Sequence, residues 1–195
     1  MATSRRSSTP LSRERILDAA QAIVLAEGAS ALSMRRVAAE LGTGAMSLYN
    51  HVRDKEALQV GLAERVLAQV EVPVGASRHE LCATWTRSVR RTLLANHPIL
   101  PIILSVPRRS ALGEIGRLLG GALMATGMAE RDARDVTAVL GRYIAGSLVF
   151  DGAAGRRGDV DADELDRTFE LGLDALLGGL EAVLTREPEP APTEA

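Results

Sequence analysis

Hydrophobic positions recur at helical spacing through most of the chain. In the first such stretch, Ile16, Ala20, Ile23 and Val24 fall on one face of a helix predicted over 13–27. Alanine, leucine and arginine are abundant and favour helices, whereas β-branched residues rarely cluster. The pattern therefore predicts an all-α fold.

Capping residues divide the first part of the chain into four helices. Ser12, Ser33 and Asp54 each precede a periodic stretch, as helix N-caps do, and Gly28 and Gly42 follow the first two helices. The four predicted helices span residues 13–27, 34–41, from 43 or 44 to about 50, and 55 to about 70.

Residues 70–77 contain Pro73 and Gly75 and interrupt the periodicity, so a domain junction is predicted there. Five further helices are predicted at roughly 78–96, 98–105, 110–126, 130–152 and 162–184. They are separated by Pro98, Pro107, Gly127 and the polar stretch 152–159. The resulting plan is a flexible arm (1–11), a first domain (12–70, including a linking helix over 55–70), a second domain (71–185) and a disordered tail (186–195).

Charge and composition refine this plan. Residues 1–70 carry nine basic and seven acidic side chains, against fourteen and eighteen in residues 71–195, although the whole chain has a net charge of −2. A mildly basic first domain permits contact with nucleic acid. The single cysteine, Cys82, and the lack of a long apolar stretch predict a cytoplasmic protein without membrane contact.

The segment LSMRRVAAELGTGAMSLYNHVRDK, residues 32–55, has the pattern of a helix-turn-helix. Leu48 and Val52 provide the inward face of its second helix. The remaining positions offer the donors, acceptors and apolar surface that a helix needs in a DNA major groove: Ala45, Met46, Ser47, Tyr49, Asn50 and His51. After Asp54, free helix N–H groups and the Lys55 ammonium are predicted to bind a phosphate.

Residues 12–70 resemble the N-terminal domain of the TetR (tetracycline repressor) family of transcriptional regulators. The resemblance lies in SRERILDAA, EGASALSMRRVAAELG and SLYNHVRDKEAL, in the order and spacing of the family. It implies a three-helix DNA-binding domain followed by a helical ligand-binding and dimerisation domain. It also implies a homodimer that binds a near-palindromic operator in double-stranded DNA.

The resemblance places DNA contacts at Ser33 and Arg35 before the turn, and at Ala45, Met46, Ser47, Tyr49, Asn50, His51 and Lys55 after it. The chain departs from the family pattern at residues 44–46, where Gly-Ala-Met offers few side-chain hydrogen bonds. Base specificity is therefore expected from Arg35, from apolar contact with thymine methyl groups and from DNA shape. Core packing for Tyr49, and capping or packing for His51, remain alternatives to phosphate contact.

The last two helices carry apolar stripes. The resemblance implies a four-helix bundle between two chains, with interface residues Val136, Leu140, Tyr143, Ser147, Phe150, Leu165, Phe169, Leu173, Leu176 and Leu180. Core packing within one chain is the alternative interpretation of both stripes.

The helices around 78–126 are expected to enclose a small-molecule effector. Its candidate contacts are Trp85, Val89, Leu93, Asn96, His97, Leu100, Ile103, Leu104, Leu119, Leu123 and Tyr143. Most of these side chains are apolar, so a largely hydrophobic ligand is expected.

No catalytic or metal-binding pattern is found. The three histidines are scattered and share no metal-ligand spacing with Cys82, and neither a nucleophile elbow nor a phosphate-binding glycine loop is present. We therefore expect no enzyme, no metal and no cofactor. The predicted function is a repressor released from its operator by a small molecule. The alternatives are an activator or global regulator of the same fold, or a helical small-molecule-binding protein that has lost DNA recognition.

Overall fold

The computed structural model describes residues 10–106, 111–157 and 161–184. Within these ranges the chain is helical, without a strand, which confirms the predicted all-α fold. We number the α-helices in chain order: α1 Arg13–Glu27, α2 Met34–Glu40, α3 Ala45–Tyr49, α4 Lys55–Leu67, α5 Arg78–Ala95, α6 Leu100–Ser105, α7 Ala111–Ala125, α8 Glu130–Arg157 and α9 Ala162–Leu184. The arm predicted over 1–11, apart from Pro10 and Leu11, and the tail predicted over 186–195 lie outside the described residues.

The chain divides into two compact units. Unit 1 comprises residues up to Gln69 together with the segment from Ala95 to Gly113, and unit 2 comprises Val70–Leu94 and the chain from Glu114 onwards. The segment that contains α6 was predicted as part of the second domain. The structure instead groups it with unit 1, because α6 packs against α4 and the 3₁₀ turn before it packs against α1.

Three predicted N-caps hold the first helices of unit 1. The hydroxyl of Ser12 accepts a hydrogen bond from the N–H of Arg15, and the hydroxyl of Ser33 accepts one from the N–H of Arg36. The carboxylate of Asp54 begins α4 in the same way. Such caps satisfy helix N–H groups that have no partner inside the helix. The sequence therefore located these helix starts correctly.

The core of unit 1 lies where α1, α2 and α4 pack together. Ile16, Val37 and Leu62 have no exposed surface there. Helices α1 and α4 approach closely at Gly61, where a Cβ atom would lie 3.0 Å from Cδ2 of Leu17. This packing provides the base from which α3 projects.

Unit 2 is built around α5, which is buried along most of its length. Trp85 on α5 is 3% exposed, and Leu140 on α8 and Leu173 on α9 are fully buried. Helices α8 and α9 run antiparallel, since Tyr143 stacks on Phe169 and donates a hydrogen bond to its carbonyl oxygen, whereas Val136 shares a cavity with the last turns of α9.

A partly buried ion cluster joins α5, α8 and α9. The guanidinium of Arg90 donates to the carboxylates of Asp151 (2.8 Å) and Asp166 (2.6 Å). It also lies 4.3 Å from the centre of the Phe169 ring, within the range of a cation–π contact. These partners raise the pKa of Arg90 against the opposing effect of burial. Arg90 therefore stays charged inside unit 2.

Helix α8 continues beyond its predicted end. Residues 152–159 were predicted as a polar turn, but the backbone is helical through Arg157. Alanine and arginine favour helices, and an interior glycine costs only about 1 kcal/mol relative to alanine. Gly152 and Gly155 are therefore compatible with a helix that continues through Arg157.

Cys82 offers a test of burial in unit 2. Its side chain is 5% exposed, and burial raises the pKa of the thiol to about 11. The thiolate is the reactive form, so the rate of alkylation by iodoacetamide is expected to keep increasing up to about pH 11. A rate that levels off near the pKa of a free thiol, about 8.5, would contradict this burial.

Candidate functional site

Helices α2 and α3 are joined by a tight turn. Gly42 has a φ of +63°, a conformation that favours glycine, and the N–H of Thr43 donates to the carbonyl oxygen of Ala38 at 3.0 Å. Leu48 is fully buried and Val52 is 5% exposed. Leu48 on α3 and Val52 just after it therefore anchor this segment to the rest of unit 1, with the inward orientation that the sequence predicts.

The opposite face of α3 is open. Met46 is 78% exposed and Tyr49 is 47% exposed, and Asn50 and His51 are exposed just after the helix. Ala45 and Ser47 are half-buried at its base. The predicted contact positions thus combine an apolar thioether, a phenol, an amide and an imidazole on one short surface.

Two adjacent arginines of α2 differ in their surroundings. Arg36 is held between Glu27, at 2.6 Å, and Glu40, at 2.8 Å. The hydrogen bond with Arg36 lowers the pKa of Glu27, and both carboxylates raise the pKa of Arg36. Arg35 is exposed and makes no ion pair within the described part of the chain. Arg36 therefore fixes α2 to α1, whereas Arg35 is available to a partner.

The two N-cap side chains beside this surface differ in the hydrogen bonds that they can still make with a partner. Ser33 accepts a backbone hydrogen bond and keeps its own O–H as a donor. The carboxylate of Asp54 accepts the N–H of Ala57 at 2.7 Å and a hydrogen bond from Arg53 at 2.8 Å, which together lower its pKa. The N–H of Ala57 is therefore already used, whereas phosphate binding at this helix start stays a prediction. Lys55, the predicted phosphate contact, is exposed.

The predicted effector contacts fall into both units. In unit 2, Val89 and Leu93 are less than 5% exposed, and Leu119 and Leu123 are fully buried. The indole N–H of Trp85 donates to the carbonyl oxygen of Ile115, and the hydroxyl of Tyr143 donates to that of Phe169. The N–H of Trp85 and the O–H of Tyr143 are therefore already engaged within the chain.

Five predicted effector contacts lie in unit 1. Asn96 and Ile103 are buried, and Leu100 is half-buried. His97 is exposed and Leu104 is 67% exposed, so these two side chains face away from the core of the unit.

The predicted dimer stripe needs a correction. Val136, Leu140, Phe169 and Leu173 are at most 4% exposed in the single chain. They have no surface left for a partner chain, because they form the core between α5, α8 and α9. Tyr143, Ser147, Leu165, Leu176 and Leu180 are half-buried. Among the predicted interface residues only Phe150, at 77%, is widely exposed.

The structure exposes apolar residues that the sequence interpretation did not select. Val149 on α8 is 71% exposed, and Leu171 on α9 is 73% exposed. Gly146 and Gly178 also have open space around them. On α8, Val149 has Arg142 and Gly146 as helical neighbours, so it does not belong to an apolar stripe that periodicity could detect. Periodicity also does not show whether an apolar face is covered within the chain.

Across residues 10–106, 111–157 and 161–184, no three His, Cys, Asp or Glu side chains are grouped so as to hold a metal ion. None of the helices in these same ranges combines the length and hydropathy needed to span a bilayer.

Residues 16–60 match the family model described as bacterial regulatory proteins, tetR family. A curated relative, the HTH-type transcriptional repressor DrrR1 of Streptomyces coeruleorubidus, is 41% identical over 99 residues. That alignment covers 50% of this chain and 37% of the relative. The chain therefore spans little more than a third of that protein.

Two solved structures match over nearly their whole length. The Streptomyces coelicolor TetR family protein ActR, in complex with (S)-DNPA, is 30% identical with a TM-score of 0.73, covering 90% of this chain and 99% of that one. BioQ with its double-stranded DNA operator is 25% identical with a TM-score of 0.68, covering 89% and 99%.

Proposed function

Since the chain belongs to the TetR family of bacterial regulatory proteins, we propose that it represses transcription by binding an operator through α2 and α3. The observation that carries the proposal is the anchored but exposed α3. Leu48 and Val52 hold one face, while Met46 and Tyr49 project from the other. The DNA complex of the similar protein BioQ supports the same kind of partner.

We assign the polar groups of this surface to two kinds of contact. Arg35 reads a base, with guanine as its best partner through O6 and N7, and Met46 meets a thymine methyl group. The phosphate contacts, which position the protein on the duplex, are assigned to Ser33, Tyr49, Asn50, His51 and Lys55. Ala45 and Ser47 are small and half-buried, so they allow the α3 backbone to lie close to the groove.

We propose a homodimer whose two α3 helices occupy successive major grooves of a near-palindromic site. The exposed stripes of α8 and α9 support it, since Val149, Phe150 and Leu171 are apolar and more than 70% exposed. Gly146 and Gly178 allow close approach of a second chain. An interface of about 800 Å² per partner is typical of such a dimer.

We also propose that a small, largely hydrophobic molecule releases the repressor from DNA. The similar protein ActR binds a small molecule, (S)-DNPA, which supports a ligand site in a protein with this fold. A coupling free energy of about 1–3 kcal/mol between effector binding and operator binding is sufficient to release the protein from DNA. We expect DNA footprinting to show a protected site that overlaps the promoter of the regulated gene. This protection is expected to disappear when the effector is added. Binding upstream with increased transcription would favour an activator.

The test of DNA binding starts from the purified full chain. Bound fragments are selected from a genomic DNA library, and their affinity is measured by fluorescence anisotropy at several salt concentrations. We expect selection to converge on a near-palindromic sequence. Recovery of fragments without any shared sequence would overturn the proposed operator recognition.

Replacing Lys55 by alanine is expected to weaken binding to all DNA sequences by a similar factor. Removal of one phosphate-binding cation reduces the steepness of log affinity against log salt by about 0.9. Lys55 is exposed, so its replacement leaves the fold intact. The measurement is the salt slope on the selected site and on a scrambled duplex.

Arg131→Ala is the matched control, because Arg131 is an exposed cation of α8 far along the chain from the α2–α3 surface. Its salt slope is expected to equal that of the unmodified protein. A Lys55→Ala slope that also stays unchanged would remove Lys55 from the phosphate contacts.

A further inference from the structure

A cavity of about 120 Å³ opens at one end of unit 2. It lies where the first turn of α5 meets the beginning of α8 and the last turns of α9. None of its lining residues belongs to the α2–α3 surface or to the predicted effector contacts. The cavity therefore needs an explanation of its own.

The walls of the cavity are mostly apolar. They are formed by Cys82, Met128, Val136, Leu177, Leu180 and Leu184. The buried thiol of Cys82 stays protonated at neutral pH and contributes a nonpolar surface. An apolar cavity of roughly 150 Å³ accommodates a benzene ring, so one aromatic ring is about the size that fits this space.

The rim of the cavity presents a fixed donor. Arg78 donates through Nε to the hydroxyl of Thr126 and through Nη2 to its carbonyl oxygen, at 2.8 and 2.9 Å. These bonds orient the guanidinium and leave its Nη1 group without a hydrogen bond in the part of the chain that the structure describes. An oriented donor at the mouth of an apolar cavity can select a polar head group.

The cavity is also lined by the carboxylate of Glu181 and the imidazole of His79. A carboxylate has room for several hydrogen bonds, so it can accept another donor beside its existing interactions. The positive Arg78 and the negative Glu181 offset each other. An ionic head group of either sign would be attracted by one of these charges and repelled by the other, whereas a neutral hydroxyl can accept a hydrogen bond from Arg78 and donate one to Glu181.

We propose that this cavity is a binding site for a small neutral phenol, whose ring enters between α5, α8 and α9 and whose hydroxyl lies between Arg78 and Glu181. The site is separate from DNA binding. Its test reads occupancy directly, so its failure leaves the proposed repressor function untouched.

The test uses fluorine NMR of 4-fluorophenol with the full chain. We expect saturable binding that is about tenfold tighter than that of fluorobenzene, because two hydrogen bonds to the hydroxyl are added. The ions 4-fluorobenzoate and 4-fluorobenzylamine are expected to bind more weakly than the phenol. Equal or tighter binding of either ion would overturn the assignment of the rim.

Two variants locate the site. Leu180→Trp fills the cavity from its half-buried rim position and is expected to abolish phenol binding. Leu176→Trp is the matched control, because Leu176 is also half-buried on α9 but does not line the cavity. Circular dichroism establishes that both variants are folded. Phenol binding that persists in Leu180→Trp would overturn the proposal.

Cys82 provides a second measurement that needs no variant. It is the only cysteine of the chain, so methyl methanethiosulfonate modifies a single site. Saturating 4-fluorophenol is expected to slow this modification, with a midpoint equal to the dissociation constant from NMR. Modification at an unchanged rate would contradict a ligand in contact with the Cys82 wall.

Discussion

A protein that carries both Phe150→Asp and Leu171→Asp is expected to be monomeric and to bind its operator at least about a hundredfold more weakly. The two side chains are 77% and 73% exposed, so the charges meet water rather than the core of the single chain. In a dimer, the same carboxylates would be buried without partners, which is strongly unfavourable. Each half-site would then be bound by a separate chain. The mass from light scattering and the affinity from anisotropy measure both effects.

Val74→Asp is the control for adding a charge at an exposed apolar position. Val74 is fully exposed and lies in the segment between α4 and α5, outside α8 and α9. The mass of the Val74→Asp variant and its affinity for the operator are expected to match those of the unmodified protein. A dimer that survives both substitutions on α8 and α9 would place the interface elsewhere.

Replacing Arg90 by methionine is expected to lower the free energy of unfolding by about 3–5 kcal/mol. The loss comes from the carboxylate of Asp151, whose side chain is only 11% exposed and would remain without its cation. Methionine keeps most of the volume of the side chain, so a cavity is not the main cause. Urea unfolding followed by circular dichroism measures the difference.

Two further variants separate charge from packing in this cluster. Asp166 is 65% exposed, so Asp166→Asn is expected to cost no more than about 1 kcal/mol. Adding Asp151→Asn to Arg90→Met is expected to restore part of the stability, because no buried charge is left. If the double variant is as unstable as Arg90→Met alone, an unpaired carboxylate is not the cause.

Local signals in the sequence were sufficient to predict the helix-turn-helix. Ser33 and Asp54 cap their helices through bonds to residues three positions ahead, and Gly42 takes the positive φ at the turn. Such features depend on neighbours along the chain. The inward Leu48 and outward Met46 follow from the same short-range periodicity. The outward orientation of Met46 could therefore be predicted, although the predicted contacts Ala45 and Ser47 are half-buried.

Contacts between distant segments could not be predicted. Arg90 resembles any arginine on a helix, and its partners Asp151 and Asp166 come 61 and 76 positions later. The stripe with Val136 and Leu140 was assigned to a partner chain, yet α5 already covers it. Apolar spacing shows that a face is buried but not what covers it.

The central claim is that the exposed face of α3 enters duplex DNA, and its methionine provides the most direct test. In protein labelled with carbon-13 at the methionine methyl groups, Met46 is 78% exposed on α3, whereas Met34 is buried on α2 and Met124 lies on α7. On titration with the selected duplex, we predict a large shift of the Met46 methyl resonance that saturates at one duplex per dimer, with the Met124 resonance unchanged. A Met46 resonance that stays in place while the duplex is fully bound would contradict the account.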